Sequence, residues 1–475
     1  MNLEPSQSYF FIGIAGVGMS AIAQYLAGKG FSVSGSDRQF GEDSPRIKAQ
    51  LEQLGIQCFT QDGSGIHAGL SAVVISTAIE ETNPDLKKAK ELGVPVWHRS
   101  EMLAAISNHT KTIAVSGTSG KSTVTAMIFH ILTEAGLSPS LMTGASLVSL
   151  ESQGMIGNAF AGNGEWLVVE ADESDGTLVR YKPEIGLILN IDKDHKEIAE
   201  LQNIFAEFAR NLESRGKILI VNDAHPLSKA FSRGREFDFG TESYCGVQGL
   251  DFESAGIGIR FRVRHRGELV RFELPFPGKY NMENALAATA CALQAGVSLR
   301  VCAAALKTFA GVFRRQMFLG TFAGVHLMDD FAHNPAKIAA SIESVRSFTS
   351  GRVFAWFQPH GFGPAKFLRF DFKKSFLESL HFSGVPEKKD RLYFSKIYYA
   401  GGSANQDISA ADLAADVNQE GGLAFYIEDR DACAREMVKE ARAGDTILLM
   451  GARDPSLGAF AESVKRMLEE AASEK

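Results

Sequence analysis

The chain has 475 residues, 45% of them hydrophobic, with 46 glycines, 14 prolines and a formal net charge of −7. That length exceeds one ordinary core and predicts several domains, and the composition fits a globular α/β protein while excluding a disordered or fibrous one. Lysines and arginines scattered under a net negative charge exclude an extended basic face for nucleic acid.

Five cysteines, at 58, 245, 291, 302 and 433, show no CxxC or CxxH spacing. Neither a zinc site nor a disulfide frame is expected, and a reducing cytoplasm fits. The leading MNLEPSQS lacks a basic region, and the apolar run after it is broken by Gly13, Gly16, Gly18, Ser20 and Gln24. It reads as neither a signal peptide nor a membrane span.

The first segment, residues 1–108, opens YFFIGIAGVGMSAIAQYLAGKGFSVSGSD. A strand runs into a glycine turn, a helix follows from about Ser20 to Lys29, and a second strand ends at Asp37. Gly13, Gly16 and Gly18 predict a tight turn that lays a diphosphate on the helix N-terminus beside Met19, or one that serves only close packing. Asp37 lies where a ribose hydroxyl is met in a dinucleotide fold, Ser36 beside it is a further substrate-binding candidate, and AVVISTAIEETNP delivers Ser76 and Thr77 to a sheet edge.

The second segment, 109–312, opens on AVSGTSGKSTVTAM between a strand from Lys111 and a helix from Thr123. Gly117, Thr118, Ser119 and Gly120 are expected to curl the backbone around phosphate oxygens. Lys121 then supplies a charge and Ser122 a hydroxyl for Mg²⁺. Val115 stands where a full Walker A motif begins with glycine. Two apolar strands downstream end in acids: WLVVEADESDG in Glu170, Asp172, Glu173 and Asp175, and IGLILNIDKDHKE in Asp192, Asp194 and His195. Carboxylate and imidazole beside a triphosphate imply Mg²⁺, whereas either stretch alone reads equally as a solvated acidic loop.

Residues 237–276 alternate in β fashion and predict a small antiparallel accessory sheet. An Ala-rich helix beginning near Asn281 offers Asn281 and Asn284 to an adenine edge or as simple caps. The third segment, 313–475, contains Arg314-Arg315, the strand GVHLMDDFAHNPAKI with Asp330 and His333, the strand RVFAWFQPHGFG, and GDTILLMGARDP. Arg315 would reach a γ-phosphate and Asp330 a ribose, although paired arginines after a helix commonly form a solvated face.

In chain order, GIAGVGMS, SGSD, STAIEETNP, SGTSGKST, EADESDG, NIDKDH, PGKYNMENALAA, FRRQMFLG, DDFAHNP and FQPH resemble the Mur ligases of peptidoglycan synthesis. The resemblance covers about residues 10 to 455. It implies a Rossmann-like N-terminal domain for a UDP-sugar, a P-loop-type central ATPase domain with a mainly parallel sheet, and a Rossmann-like C-terminal domain that closes over the nucleotide. The implied reaction is ATP-dependent amide formation between the carboxylate of UDP-N-acetylmuramate and an amino acid, L-alanine in the branch matched best. It passes through an acyl phosphate and yields ADP and phosphate.

By the resemblance Lys121 contacts the β/γ-phosphates, Thr123 and its loop neighbours line them, Ser122 and Glu170 ligate the first Mg²⁺, and His195 reaches the second. His333 is the candidate general base for the amine. Relatives that carry a carbamylated lysine have it about fifteen residues after the metal histidine, where this chain has Arg210; its absence favours the alanine-adding branch. A monomer or homodimer is the expected assembly.

The chain departs from the family pattern at several points. Ser119 replaces a histidine and Ser122 a threonine in the loop, and Phe331 and Asn334 replace a tyrosine and a histidine. Gly361 and Pro364 stand where alanine-adding relatives show arginines that clamp the amino-acid carboxylate, with Lys366 and Arg369 nearby at other spacings. GARDP replaces a GAG-containing stretch. These departures keep open a peptide or another amine, as in the murein tripeptide ligase of wall recycling, and a non-catalytic nucleotide-binding relative.

Overall fold

The computed structural model describes residues 3–41, 46–173, 176–192, 197–234, 236–399, 401 and 405–473. The first apolar run forms β1 (Ser8–Ile12), whose Tyr9, Phe10, Phe11 and Ile12 are fully buried, as a parallel strand covered on both faces requires. With β2 (Ser32–Ser36), β3 (Gln57–Phe59), β4 (Ala72–Ile75) and β5 (Val96–His98) it builds an all-parallel sheet in the order β3-β2-β1-β4-β5. Ile12 lies opposite Ser36 and Phe11 opposite Val74. The glycine turn, Ser36-Asp37 and Ser76-Thr77 therefore share one carboxyl edge. The helix after the turn spans Val17–Gly28, three residues earlier than its apolar pattern suggests, because Gly16 already caps it.

A second sheet contains β6 (Lys111–Ser116), β7 (Ser140–Met142), β8 (Ala159–Phe160), β9 (Trp166–Glu170), β10 (Ile185–Ile188) and β11 (Ile218–Val221), in the order β11-β10-β6-β9-β7-β8. All its pairs are parallel except β7 with β8. Val115 pairs with Glu170 and Ser116 with Ile188, so the loops that leave β6, β9 and β10 emerge level with one another.

One apolar core joins residues of both sheets, from Tyr9 and Phe11 to Leu167, Phe205 and Val221. A buried amide adds a polar tie. Asn158 Nδ2 donates to the Val17 carbonyl at 2.7 Å and the Ser20 hydroxyl at 3.0 Å, and its Oδ1 accepts from Gln24 at 2.7 Å. Its carbonyl accepts from the Thr143 N–H, next to the acidic loop. At 2% exposed, Asn158 has to satisfy this capacity internally.

The accessory sheet comprises β12 (Phe239–Gly240), β13 (Val247–Ala255), β14 (Gly258–His265) and β15 (Glu268–Leu274), in that order. β12 pairs parallel with β13, Phe239 opposite Val247, so the sheet is mixed and not purely antiparallel as the alternation predicts. A two-residue strand is too short to leave a periodic trace.

The last sheet contains β16 (Met317–Phe322), β17 (Val325–Asp330), β18 (Val353–Gln358), β19 (Arg391–Phe394), β20 (Ala424–Tyr426) and β21 (Thr446–Gly451), in the order β16-β17-β21-β18-β19-β20. Only β16 with β17 is antiparallel. Inside it the Arg314 guanidinium holds Asp329 at 3.0 Å and the Gly451 carbonyl at 2.8 Å. Burial pushes the Asp329 carboxyl up to about 6 against the pull of Arg314, and Asp330 adds to the rise.

The chain divides into two compact units. One comprises Met1–Asp251, Phe261–Glu273 and Met282–Phe313, and the other Phe252–Arg260, Leu274–Asn281 and Arg314–Lys475. Among the described residues no helix is long and apolar enough to cross a membrane.

Candidate functional site

The loop between β6 and the helix Lys121–Glu134 turns at Gly117, with φ +133°, and Gly120, with φ +84°. Side chains are excluded at both. A Cβ at Gly117 would lie 2.9 Å from the Leu189 Cβ, and one at Gly120 would lie 2.8 Å from Asn284 Oδ1. Asn284 is thereby placed against the loop, while the Asn281 amide turns back to donate to the Pro277 carbonyl at 2.7 Å. N–H groups at a helix start favour an anion, and this helix has no acid in its first turn.

Asn190, two residues beyond β10, clamps the loop. Its Oδ1 accepts from Thr118 Oγ1 at 3.0 Å and from the Ser119 N–H at 2.8 Å, and its Nδ2 donates to the Ser119 carbonyl at 3.1 Å. The Thr118 hydroxyl also accepts from the Asp192 N–H at 2.9 Å. Sequence reasoning stopped at the charged residues after this strand. The signal available was an amide directly following an apolar run, which fixes turns by bonding nearby backbone.

Lys121 donates to the Gly117 carbonyl at 2.7 Å and to Glu173 at 2.8 Å, with Asp172 at 3.7 Å. Burial, the largest influence, disfavours its ammonium, but Glu173, Asp172 and Glu170 together raise its pKa, so it is charged. Glu173 is 4% exposed, and burial raises its carboxyl despite Lys121. Ser122 Oγ donates to Glu170 Oε2 at 2.9 Å, the oxygen that also accepts from Thr143 Oγ1 at 2.9 Å and the Gly144 N–H at 2.8 Å. The structure thus brings together Lys121, Ser122 and Glu170, with Thr123 in the same first helical turn. His195, Asp175 and Asp194 lie outside the described residues.

At the N-terminal sheet, Gly13 has φ +81° and its N–H donates to the Ser36 carbonyl at 2.7 Å. Asp37 accepts from the Ala15 N–H at 3.1 Å and so shapes the glycine turn from inside. The Ser36 hydroxyl is buried on Asp85, and Met19 is in the core. Ser76 is half-buried and Thr77 exposed, just past β4.

Arg99, which begins the helix Arg99–His109, was not singled out by sequence. A Cβ at Gly18 would lie 2.7 Å from its Nη1. A cleft lined by Gly18, Arg99, Thr143, Gly144, Glu170 and Asp172 runs from the glycine turn's helix to the acid that meets Ser122. No spacing rule separates Arg99 from an ordinary surface arginine.

At the carboxyl edge of the last sheet, Asp330 accepts from the Gln316 N–H at 3.2 Å and its side-chain amide at 3.1 Å. The Arg315 guanidinium stacks 4.2 Å above the Phe331 ring centre. His333 Nδ1 lies 2.8 Å from the Phe331 carbonyl, which assigns the proton to Nδ1 and makes Nε2 the basic nitrogen. Its ring is 5.4 Å from that of His360. Lys366 and Arg369 are ion-paired with Asp407 and Asp416.

Three mainly parallel sheets, two of them with strand-to-helix glycine turns and one of those turns carrying a lysine-serine pair, define a multi-domain α/β protein. Three family models match in succession: "Mur ligase family, catalytic domain" over residues 8–111, "Mur ligase middle domain" over 115–292 and "Mur ligase, glutamate ligase domain" over 314–453. The chain belongs to the Mur ligase family.

It is similar to the UDP-N-acetylmuramate–L-alanine ligase of Syntrophomonas wolfei, 34% identical over 465 residues that cover 96% of each chain. It is also similar to that of Dinoroseobacter shibae, 35% identical over 93% of this chain and 94% of the relative. In fold it resembles the crystal structure of the UDP-N-acetylmuramate-alanine ligase of Thermotoga maritima, with a TM-score of 0.77 and 24% identity over 98% of this chain and all of the other. A murein peptide ligase from Psychrobacter arcticus shares the fold at a TM-score of 0.64 and 20% identity, covering 98% and 99%.

Proposed function

We propose that the protein joins the carboxylate of UDP-N-acetylmuramate to the amine of L-alanine, coupled to cleavage of ATP to ADP and phosphate, as a cytoplasmic step of peptidoglycan synthesis. The observation that carries this reading is the meeting of Lys121, Ser122 and Glu170 at the head of the central sheet. Its chain is 34% identical, nearly end to end, to a UDP-N-acetylmuramate–L-alanine ligase. In this reading residues 1–108 hold the UDP-sugar, 109–312 the ATP and 313–475 the amine.

A carboxylate resists amines because its oxygen leaves badly. Transfer of the γ-phosphoryl group to that oxygen, with departure of ADP, turns the carboxylate into an acyl phosphate, a mixed anhydride whose phosphate leaves readily. The amine nitrogen then attacks the acyl carbon, and phosphate departs with the C–O electron pair. Catalysis is mostly positioning and charge neutralisation. Lys121 exchanges Glu173 for phosphate oxygens. The loop N–H groups held by Asn190 cradle the phosphates, Asn284 stands beside them, and Arg315 and Asp330 complete the nucleotide contacts, while Asn281, turned onto the Pro277 carbonyl, serves the helix start. His333 Nε2 receives the proton the amine gives up. Gly13, Gly16 and Gly18 carry the sugar's diphosphate, with Ser36, Asp37, Ser76 and Thr77 at the same edge.

The donor set fits Mg²⁺. Ser122 and Glu170 offer hard oxygens, and among the described residues no group of three or more His, Cys, Asp or Glu forms an all-protein cage. That suits a cation which keeps its other positions for water and phosphate. When bound, Mg²⁺ neutralises charge between the phosphates and the incoming carboxylate.

A second reading, a peptide as the amine, is favoured by one observation. Gly361 and Pro364 follow β18, and the nearest cations beyond them, Lys366 and Arg369, are already committed to acids. Phosphate release with UDP-N-acetylmuramate, ATP and a panel of amino acids and a murein tripeptide separates the two. Stimulation by L-alanine alone supports the first reading, stimulation by the tripeptide alone the second, and stimulation by nothing removes both.

A further inference from the structure

The carboxyl edge of the last sheet contains a cation that no role above absorbs. Arg453 leaves β21, the strand between β17 and β18, in the left-handed conformation at φ +58°. L side chains disfavour that region, and glycine or asparagine is the ordinary occupant. Asp330 pairs with Met450 and Gln358 with Gly451. Counting along the chain, Arg453 stands two residues past Gly451, His360 two past Gln358 and His333 three past Asp330. All three therefore emerge at one edge, where open parallel sheets receive ligands.

The neighbouring cations are engaged. Arg314 is on Asp329 and the Gly451 carbonyl, Arg430 on Asp454 and Ser456, Lys396 on Glu428, and Lys366 and Arg369 on their aspartates. Arg453 is exposed and makes no ion pair or side-chain hydrogen bond with a described residue.

We propose that Arg453 binds the carboxylate of the incoming amino acid and so presents its amine beside His333. The inference rests on the ligase reading above and deepens it. An amino acid carries an anion that has to be held away from the acyl phosphate, and a guanidinium does so with paired N–H bonds. A strained arginine at a ligand edge, with no partner among the described residues, is placed for that task.

The test is steady-state kinetics of phosphate release with L-alanine and with L-alaninamide, which has no carboxylate. In Arg453→Gly, KM for L-alanine is expected to rise at least about tenfold, with KM for ATP and for UDP-N-acetylmuramate unchanged. With L-alaninamide, wild type and variant should coincide, and Arg453→Lys should recover part of the loss. Glycine suits the backbone, so the fold should persist, and Arg453→Asn repeats the measurement in a residue that also tolerates positive φ. An unaltered KM for L-alanine, an equal loss with the amide, or a loss seen in KM for ATP overturns the assignment and leaves the ligase reading standing. A wild type that turns over no L-alanine removes the parent reading, and this inference with it.

Discussion

Asn190→Ala probes the loop where its shape is set. The substitution deletes three hydrogen bonds, to Thr118 Oγ1, the Ser119 N–H and the Ser119 carbonyl. It leaves the Asn190 carbonyl still accepting from the Thr118 N–H at 3.2 Å. A hydrogen bond contributes about 1 kcal/mol net, which sets an upper limit of about 3 kcal/mol. Asn190 is half-buried, so water recovers part of that, and about 1.5–2.5 kcal/mol remains. If the bonds hold the N–H groups in their phosphate-binding arrangement, that energy appears as weaker nucleotide binding. KM for ATP then rises about 10- to 100-fold, since each 1.4 kcal/mol is a decade. The assay is phosphate release against ATP concentration at saturating co-substrates, with thermal unfolding of the same variant in parallel. A KM for ATP within twofold of wild type, alongside a lowered melting temperature, would show that Asn190 supports the sheet edge and not the phosphate cradle.

Three other outcomes follow from the same geometry. Lys121→Ala should keep less than about a tenth of ATP turnover, because no second cation replaces a phosphate-loop lysine in its function; retention of more would reassign the loop. Glu170→Gln keeps an oxygen for Ser122, Thr143 and Gly144 but loses the charge, so the Mg²⁺ concentration for half-maximal rate should rise about tenfold or more, and an unshifted titration counts against the metal site. Asp329, raised by burial from the ordinary 3.8 to about 6, binds its proton more tightly folded than unfolded. Its contribution to stability is therefore greatest below pH 3.8 and declines as pH rises to about 6, so wild type should lose stability relative to Asp329→Asn across that window. A difference that stays flat with pH would mean the carboxyl is not displaced.

The strands and the glycine loop before Lys121 were legible because each obeys a local rule: a buried parallel strand is apolar throughout, and the turn after it needs glycines. Glu170 was readable for the same reason, as the first charge after such a run. Asn190 and Arg99 were not, since their significance comes from pairing across 71 residues to Ser119 and 81 to Gly18. Ser36 and Asp37 were correctly placed at an edge, but only coordinates reveal that one is buried on Asp85 and the other bonded to the turn itself. The parallel pairing of β12 escaped because two residues carry no period. The committed state of Lys366 and Arg369 depends on acids about forty-one and forty-seven positions away.

Glu173 stands against Lys121, the place the proposed function gives to a phosphate oxygen, so under that proposal ligand entry would be a contest between anions and not the filling of a bare positive hole. Stray sulfate or inorganic phosphate, bringing less charge and none of the adenosine contacts, would be held off by a resident rival that is already desolvated and tethered. On that reading the same rival would return as ADP departs, hastening release and keeping the lysine from trapping the product.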